Sequence, residues 1–151
     1  MADPAPYRLH QSLGYQLSLT ARVMERGFEE GLRRLDLSRI SWCVLLAVGT
    51  EGLSQPSGIA DFIGIDRTAT SRTLRRMESE GLITRTGGKS DRRTTRVSLT
   101  ALGRQRLEQA TPLARANAAR FAARLSHSEH AELVRLLKRL RAGEDTPLSG
   151  L

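Results

Sequence analysis

The sequence predicts one mainly α-helical domain in which a small β-hairpin follows two short helices. Three observations favour this fold. Apolar residues recur at helical spacing over long stretches near both ends of the 151-residue chain. Two short segments between them begin with polar residues suited to cap a helix. Two β-branched segments then flank Gly87 and Gly88, as the strands of a hairpin do.

The charge of the chain predicts an anionic partner. The formal net charge is +8, and nine basic but only three acidic residues lie between Arg67 and Arg96. Net charge alone does not distinguish nucleic acid from a membrane surface or an acidic protein. Only two of the 24 basic residues are lysines. Arginine favours bidentate contacts to phosphate and guanine, but a genome-wide composition bias explains its abundance equally well.

Several other classes of protein are disfavoured. The lone Cys43 excludes an internal disulfide and a cysteine-based metal cluster. His127 and His130 are spaced to share a metal, but no matching ligand set accompanies them. No stretch approaches the ~18 apolar residues of a membrane helix, so a cytoplasmic protein without a membrane partner is expected. No convergent catalytic set is visible, so no enzymatic activity, metal or cofactor is expected.

The first two helices are predicted from apolar periodicity and capping. One covers about residues 9–32, and Ser38 is suited to cap a second over about residues 39–48. The run SWCVLLAV in the second helix is apolar nearly all round. This pattern predicts a central place in the core.

Two short helices follow. Ser54 is predicted to cap the first, with Pro56 in its opening turn and Gly64-Ile65 in the turn behind it. Asp66 is predicted to cap the second, over about residues 67–80. Periodicity separates a packing face of this second helix from a free face. The packing face comprises Thr70, Leu74, Met77 and Gly81.

A hairpin completes this central region. Its predicted strands are Ile83–Thr86 and Thr95–Leu99, and its tip is Gly88–Arg93. Short helix, turn, helix and hairpin, in this order, predict a winged helix-turn-helix over about residues 38–99.

Two long helices are predicted to end the chain. The first is capped by Thr100 and runs to about residue 125, with Pro112 either kinking it or tolerated with local strain. Ser126 and Glu129 have the spacing of a capping box. They predict a last helix over about residues 127–141.

The helix over about residues 67–80, here called the reading helix, has the side chains that the DNA major groove requires. Short side chains permit close approach, and long donors reach guanine or phosphate. Thr68, Ala69 and Arg72 combine these properties, although a charged helix face can also be merely solvated. At the start of the preceding helix, three residues could present donors to a phosphate, although capping explains the first equally well. They are Ser54, Gln55 and Ser57.

Three motifs together resemble the MarR family of bacterial transcription regulators. They are DRTATSRTLRRMESEGLI, Asp91-Arg92-Arg93 and Leu99-Thr100-Ala101-Leu102-Gly103. The resemblance implies a homodimer that binds a pseudo-palindromic operator as a repressor and responds to a small aromatic or phenolic effector. It places dimerisation helices at about residues 9–32, 100–125 and 127–141, and the winged helix-turn-helix at about 38–99.

The family pattern implies particular DNA contacts on the reading helix. It implies that Arg72 contacts a base. It implies that Thr68 and Ser71 lie near bases or phosphates. Arg67 and Arg75 are implied to contact the DNA backbone. The role of Arg76 is open, because it can instead pair with Glu80.

The family pattern also implies a role for the hairpin tip, the wing. Arg93 is implied to enter the minor groove, where negative potential is concentrated. Asp91 is implied to orient Arg93 or the loop, although a simple turn role is an alternative. Lys89 and Arg92 are implied to meet phosphates.

Four residues are candidates for an effector pocket, although each also has an ordinary role in a core or an interface. They are His10, Tyr15, Arg39 and Trp42. Cys43 lies beside the last of them. Buried packing is expected of this thiol rather than redox sensing, because nothing adjacent in sequence lowers its pKa.

A second function is left open by the sequence. An architectural or non-specific nucleic-acid-binding protein without an effector would show the same basic surface. The two functions differ in how strongly the protein prefers one DNA sequence over another.

Overall fold

The computed structural model describes residues 5–87 and 95–151. It confirms a mainly α-helical fold with a two-stranded antiparallel sheet. A 3-10 turn, Leu9–Gln11, precedes the first α-helix. The elements in chain order are α1 (Leu13–Arg33), α2 (Arg39–Gly49), α3 (Pro56–Ile63), α4 (Arg67–Ser79), β1 (Ile83–Thr86), β2 (Arg96–Leu99), α5 (Ala101–Ala122) and α6 (His127–Arg141).

The core is organised around α2, as its apolar run predicts. Val44, Leu45 and Ala47 are fully buried. They share one hydrophobic cluster with residues from α3, α4, both strands and α5. Helix α2 therefore supports the reading helix, which is α4, from beneath.

The hairpin and α5 are joined to the end of the reading helix. Gly81 has a φ of +73°, and the Leu82 N–H donates to the Met77 carbonyl at 2.9 Å, which ends α4 in a Schellman motif. Thr100 caps α5 through a 3.0 Å bond from the Gly103 N–H. A Cβ on Gly103 would lie 2.1 Å from the Leu82 carbonyl oxygen, so only glycine fits this approach.

Helices α1 and α5 form a second layer beside the lobe made of α2, α3, α4 and the hairpin. Helix α1 packs along α5, where Leu113 lies against Gly31 and Asn117 donates to the Met24 carbonyl at 3.0 Å. Helix α5 continues across Pro112, so the proline is tolerated within the helix. Within the described residues, α6 has no extensive packing against another helix.

Several element boundaries and one predicted cap differ from the sequence predictions. Ser12 caps α1, so the α-helix begins at Leu13 rather than Leu9. Gln55 occupies the N-cap position of α3, and Ser54 does not cap it as predicted. Strand β2 begins one residue later than predicted, and α5 ends at Ala122 rather than near Leu125.

None of the helices in the two described ranges combines the length and the apolarity needed to cross a membrane.

Candidate nucleic-acid interface

The start of the reading helix is held by local hydrogen bonds. Gly64, with a φ of +81°, ends α3, and the next residue, Ile65, is buried. A side-chain oxygen of Asp66 accepts from the Ala69 N–H at 2.6 Å. The Thr70 hydroxyl donates to the Asp66 carbonyl at 2.9 Å. The turn and the first turn of α4 therefore form one rigid unit.

The two faces of the reading helix separate as predicted, with one correction. Thr70, Leu74 and Met77 are buried. Ala69, predicted among the DNA-contacting residues, is only 5% exposed. It lies beside Thr70 on the packing face, so its side chain is not available to DNA. The side chains on the outer face are those of Arg67, Thr68, Arg72, Arg75 and Arg76, with Ser71 half-buried.

The arginines of the outer face differ in their partners. No hydrogen bond or ion pair joins the side chain of Arg67 or Arg72 to another residue of the described ranges. Arg75 makes a long 3.4 Å bond to the Ser71 carbonyl of its own helix. The charges of Arg67 and Arg72 are thus the ones most available to an anionic partner.

Arg76 connects the reading helix to the start of α2. One guanidinium nitrogen lies 3.0 Å from the hydroxyl of Ser38 and 3.0 Å from that of Ser41. Another lies 3.6 Å from a Glu80 carboxylate oxygen, which is the pairing left open by the sequence. These partners give Arg76 a structural role at the base of the helix.

The side chain of Arg85 on β1 also has a partner within the chain, Glu78. It donates to the Glu78 carboxylate at 2.6 and 2.9 Å. The hydrogen bond from the Arg85 side chain holds the pKa of Glu78 below its ordinary value. Among the arginines of α4 and β1, those without a carboxylate partner in the described residues are Arg67, Arg72 and Arg75.

The start of α3 lies against β2. The Ser54 carbonyl accepts from the Val97 N–H at 2.8 Å, and the Ser54 hydroxyl accepts from the Arg96 guanidinium at 3.3 Å. Gln55 is exposed and Ser57 is half-buried. Arg96 thus adds an exposed cation beside the predicted phosphate-binding residues. Its place at an outward position of an alternating strand was the available sequence signal.

The wing residues Lys89, Asp91, Arg92 and Arg93 lie outside the described residues. The strands that flank them pair in register, with Thr86 opposite Arg96. The roles implied for the wing therefore stay predictions.

The four effector candidates form two separate groups within one chain. The rings of His10 and Tyr15 meet edge to face at a centroid distance of 5.1 Å. Trp42 is buried and its ring lies 6.0 Å from that of Phe28. Arg39 pairs with carboxylates of α1. Tyr15 and Phe28 are about 20 Å apart along α1, at 1.5 Å per residue, so one chain does not assemble all four candidates.

Two cavities of the described structure are lined by residues other than these four candidates. A cavity of about 480 Å³ lies between the end of α2, β2 and the start of α5. Its walls include Leu53, Val97 and Leu107, with Arg104 and Glu108 at its edge. A second, of about 350 Å³, lies between the start of α2 and the end of α4.

Cys43 is a half-buried residue packed against the core. Burial raises the pKa of its thiol, while the nearby charge of Arg39 opposes this rise. A raised pKa disfavours the reactive thiolate, which supports the packing interpretation. In the parts of the chain that the structure describes, no three potential metal-binding side chains of histidine, cysteine, aspartate and glutamate cluster together.

Comparison with known proteins gives matches in sequence and in fold. A family model described as the MarR family matches residues 35–94. The chain is 30% identical over 141 residues to the HTH-type transcriptional repressor Mb2911 of Mycobacterium bovis, covering 93% of this chain and 96% of that protein. A further relative, from Thauera aromatica, is 36% identical over 97 residues, which span 64% of this chain and 58% of that protein.

Two solved structures are similar over most of their length. BpsR of Bordetella bronchiseptica, whose DNA binding is regulated by 6-hydroxynicotinic acid, has a TM-score of 0.80 and 22% identity, covering 92% of this chain and 99% of that one. A MarR variant from E. coli, complexed with operator DNA, has a TM-score of 0.73 and 26% identity, covering 85% and 92%. The similarity to BpsR is one of fold. The structure of the MarR variant also contains operator DNA.

Proposed function

The chain belongs to the MarR family of transcription regulators, and on that premise we propose that it is a sequence-specific repressor that binds a pseudo-palindromic DNA operator as a homodimer. The observation that carries the proposal is the outer face of the reading helix. Arg67 and Arg72 are exposed there, without a partner among the described residues, on a helix anchored by Asp66. Such a helix can enter the major groove without first breaking internal ion pairs.

The exposed apolar surface of the long helices supports a homodimer. Helix α6 has no extensive packing against the other described parts of its own chain, yet it carries a row of leucines. Contiguous apolar exposure of this kind is typical of an interface. A second copy would supply the matching apolar surface. The exposed apolar residues of α1, α5 and α6 include Leu13, Leu17, Val23, Leu113, Leu133, Leu136 and Leu140.

An aromatic or phenolic effector is the signal we propose, with contacts from His10, Tyr15, Arg39 and Trp42. BpsR, a protein of the same fold, responds to an aromatic acid. Because one chain separates the two groups of candidates along α1, the proposed pocket requires residues of both copies. The ring pair of His10 and Tyr15 would supply one wall. An acidic group of the effector would compete with the α1 carboxylates for Arg39.

The DNA preference can be measured by letting the protein select its own site. Duplexes enriched by the protein from a random library would define that site, and binding to the enriched duplex would be titrated with salt against a scrambled duplex. A specific regulator is expected to prefer its site by ~10³-fold or more at physiological salt. Equal affinity for both duplexes would instead support the architectural, non-specific alternative.

The effector proposal has its own measurement. The complex with the enriched duplex would be challenged with aromatic acids, phenols and oxidants, each at a series of concentrations. Release by an aromatic compound is expected, and a Tyr15→Ala variant should require a higher concentration of it. Release by oxidants alone would replace the effector with a redox role for Cys43.

The proposal also covers the location of the protein and its lack of enzymatic activity. We place the protein in the cytoplasm, where a bacterial operator is found. We also propose no enzymatic activity. In the described part of the DNA-binding lobe, Asp66 caps a helix, Glu78 pairs with Arg85, and Arg76 contacts Ser41.

A further inference from the structure

The segment that follows α6 returns to the helix-turn-helix turn. Leu148 forms a parallel β-bridge with Ile65. The Asp66 N–H donates to the Leu148 carbonyl at 2.7 Å, and the Leu148 N–H donates to the Gly64 carbonyl at 3.3 Å. The chain beyond the last helix is therefore hydrogen-bonded to the residues that begin the reading helix.

The shorter of these bonds satisfies a donor that α4 cannot satisfy itself. In a capping box, a glutamate or glutamine at the third helical position accepts from the N–H of the cap residue. Helix α6 does this, because Glu129 accepts from the Ser126 N–H at 2.7 Å. Helix α4 has Ala69 at the equivalent position, which has no acceptor in its side chain. The Leu148 carbonyl takes the place of the missing carboxylate.

We propose that the segment 147–151 is a working part of the DNA-binding lobe, in which the main chain of Leu148 caps and positions the start of the reading helix. Ile65, the residue bridged to Leu148, is 2% exposed and anchors the turn in the core. Arg67 and Thr68 follow the capped residue directly. The bond from Asp66 to Leu148 thus lies at the end of the helix that carries the exposed Arg67.

The same C-terminal segment also links two parts of the proposed mechanism. The chain leaves the end of α6, a helix proposed to lie in the dimer interface, and reaches the proposed DNA-contacting surface at Leu148. Only the predicted effect on DNA binding rests on the proposed function. The capping contact itself can be measured without DNA.

The experiment compares two truncations. A chain that ends after Thr146 lacks Leu148, and a chain that ends after Ser149 retains it. The residues removed by the first truncation, PLSGL, carry no charged side chain, so the net charge is the same in all three chains. Full-length Leu148→Pro is a second variant, which removes the N–H that bonds to Gly64 but keeps chain length and the carbonyl.

Amide hydrogen exchange reports the contact directly. In the chain ending after Thr146, the Asp66 amide is expected to exchange at least about tenfold faster than in the full chain, because its acceptor is gone. The chain ending after Ser149 should retain full protection. Leu148→Pro should accelerate exchange in the same direction but less. Unchanged Asp66 exchange in the Thr146 truncation would overturn the cap.

Binding to the enriched duplex reports the consequence. The Thr146 truncation is expected to bind about fivefold more weakly, the size of one helix cap, while the Ser149 truncation binds as the full chain does. Unchanged or tighter binding of the Thr146 truncation, with Asp66 exchange accelerated, would overturn the positioning role. Failure of the full chain to select any duplex would contradict the proposed function instead, and the exchange measurement would still test the cap.

Discussion

At the scale of single residues, the arginines of the central region have different tasks despite equal charge. Arg85 neutralises Glu78, and Arg76 bridges Ser38 and Ser41. Arg72 has no such partner among the described residues. The local pairing of Arg76 with Glu80 could be foreseen from four-residue spacing. Its serine partners could not, because they lie on another helix that folding brings near.

Replacement of Arg72 by alanine is expected to reduce preference for the enriched duplex over random DNA. A base contact carries sequence information, so its loss should weaken specific binding by about 1–3 kcal/mol and leave non-specific binding nearly unchanged. Competition titrations against both duplexes would measure this. An equal loss on the two would reassign Arg72 to a phosphate contact.

Arg76→Ala is expected to lower the free energy of unfolding by about 1 kcal/mol, because Ser38 and Ser41 lose a charged donor. Urea denaturation at fixed protein concentration would measure the change. Arg75→Ala is the matched control, since its one long bond lies within its own helix, and it should have little effect. Equal stability of the two variants would contradict a structural role for Arg76.

At the scale of elements, four helix starts set by a local cap were predicted correctly, whereas the local cap of α1 by Ser12 was missed. Ser38, Asp66, Thr100 and Ser126 cap helices as predicted. Each acts on a residue three positions away, which a sequence pattern can show. The prediction for Ser54 was wrong because this residue instead meets β2, whose position depends on the folded hairpin.

The junction of the hairpin with α5 gives a prediction at this scale. Gly103→Ala is expected to cost about 1–3 kcal/mol of stability, because the new Cβ would displace the Leu82 carbonyl. Gly58→Ala in α3 is the control, since its Cβ would meet nothing within 4 Å, and it should be neutral or slightly stabilising. Thermal unfolding of both variants would compare them, and equal melting temperatures would contradict the close approach.

At the scale of the whole molecule, the exposed leucines of α6 indicate the expected assembly. Apolar periodicity predicted the helix, and the structure leaves its apolar row exposed within one chain. The candidate effector residues could not be placed by sequence in the same way. Periodicity assigns them to helices but does not show that α1 separates Tyr15 from Trp42 by most of its length.

Leu136→Glu is expected to dissociate the proposed dimer, because it places a charge in an apolar interface. Lys138→Gln changes the net charge by the same amount on the same helix and should leave the dimer intact. Sedimentation across a concentration series would measure the mass. Loss of dimer should also abolish strong binding to a two-half-site duplex. A Leu136→Glu protein that remains dimeric would place the interface elsewhere.

The bond between Leu148 and Asp66 also bears on the order in which a newly made chain is completed. Domains fold as they emerge during synthesis, beginning with the N-terminal part. When the helix-turn-helix has left the ribosome, the carbonyl that caps α4 has not yet been made. That carbonyl arrives only after α6, the helix proposed to join two copies. The start of the DNA-contacting helix is therefore capped only after the helix proposed to join two copies has been made.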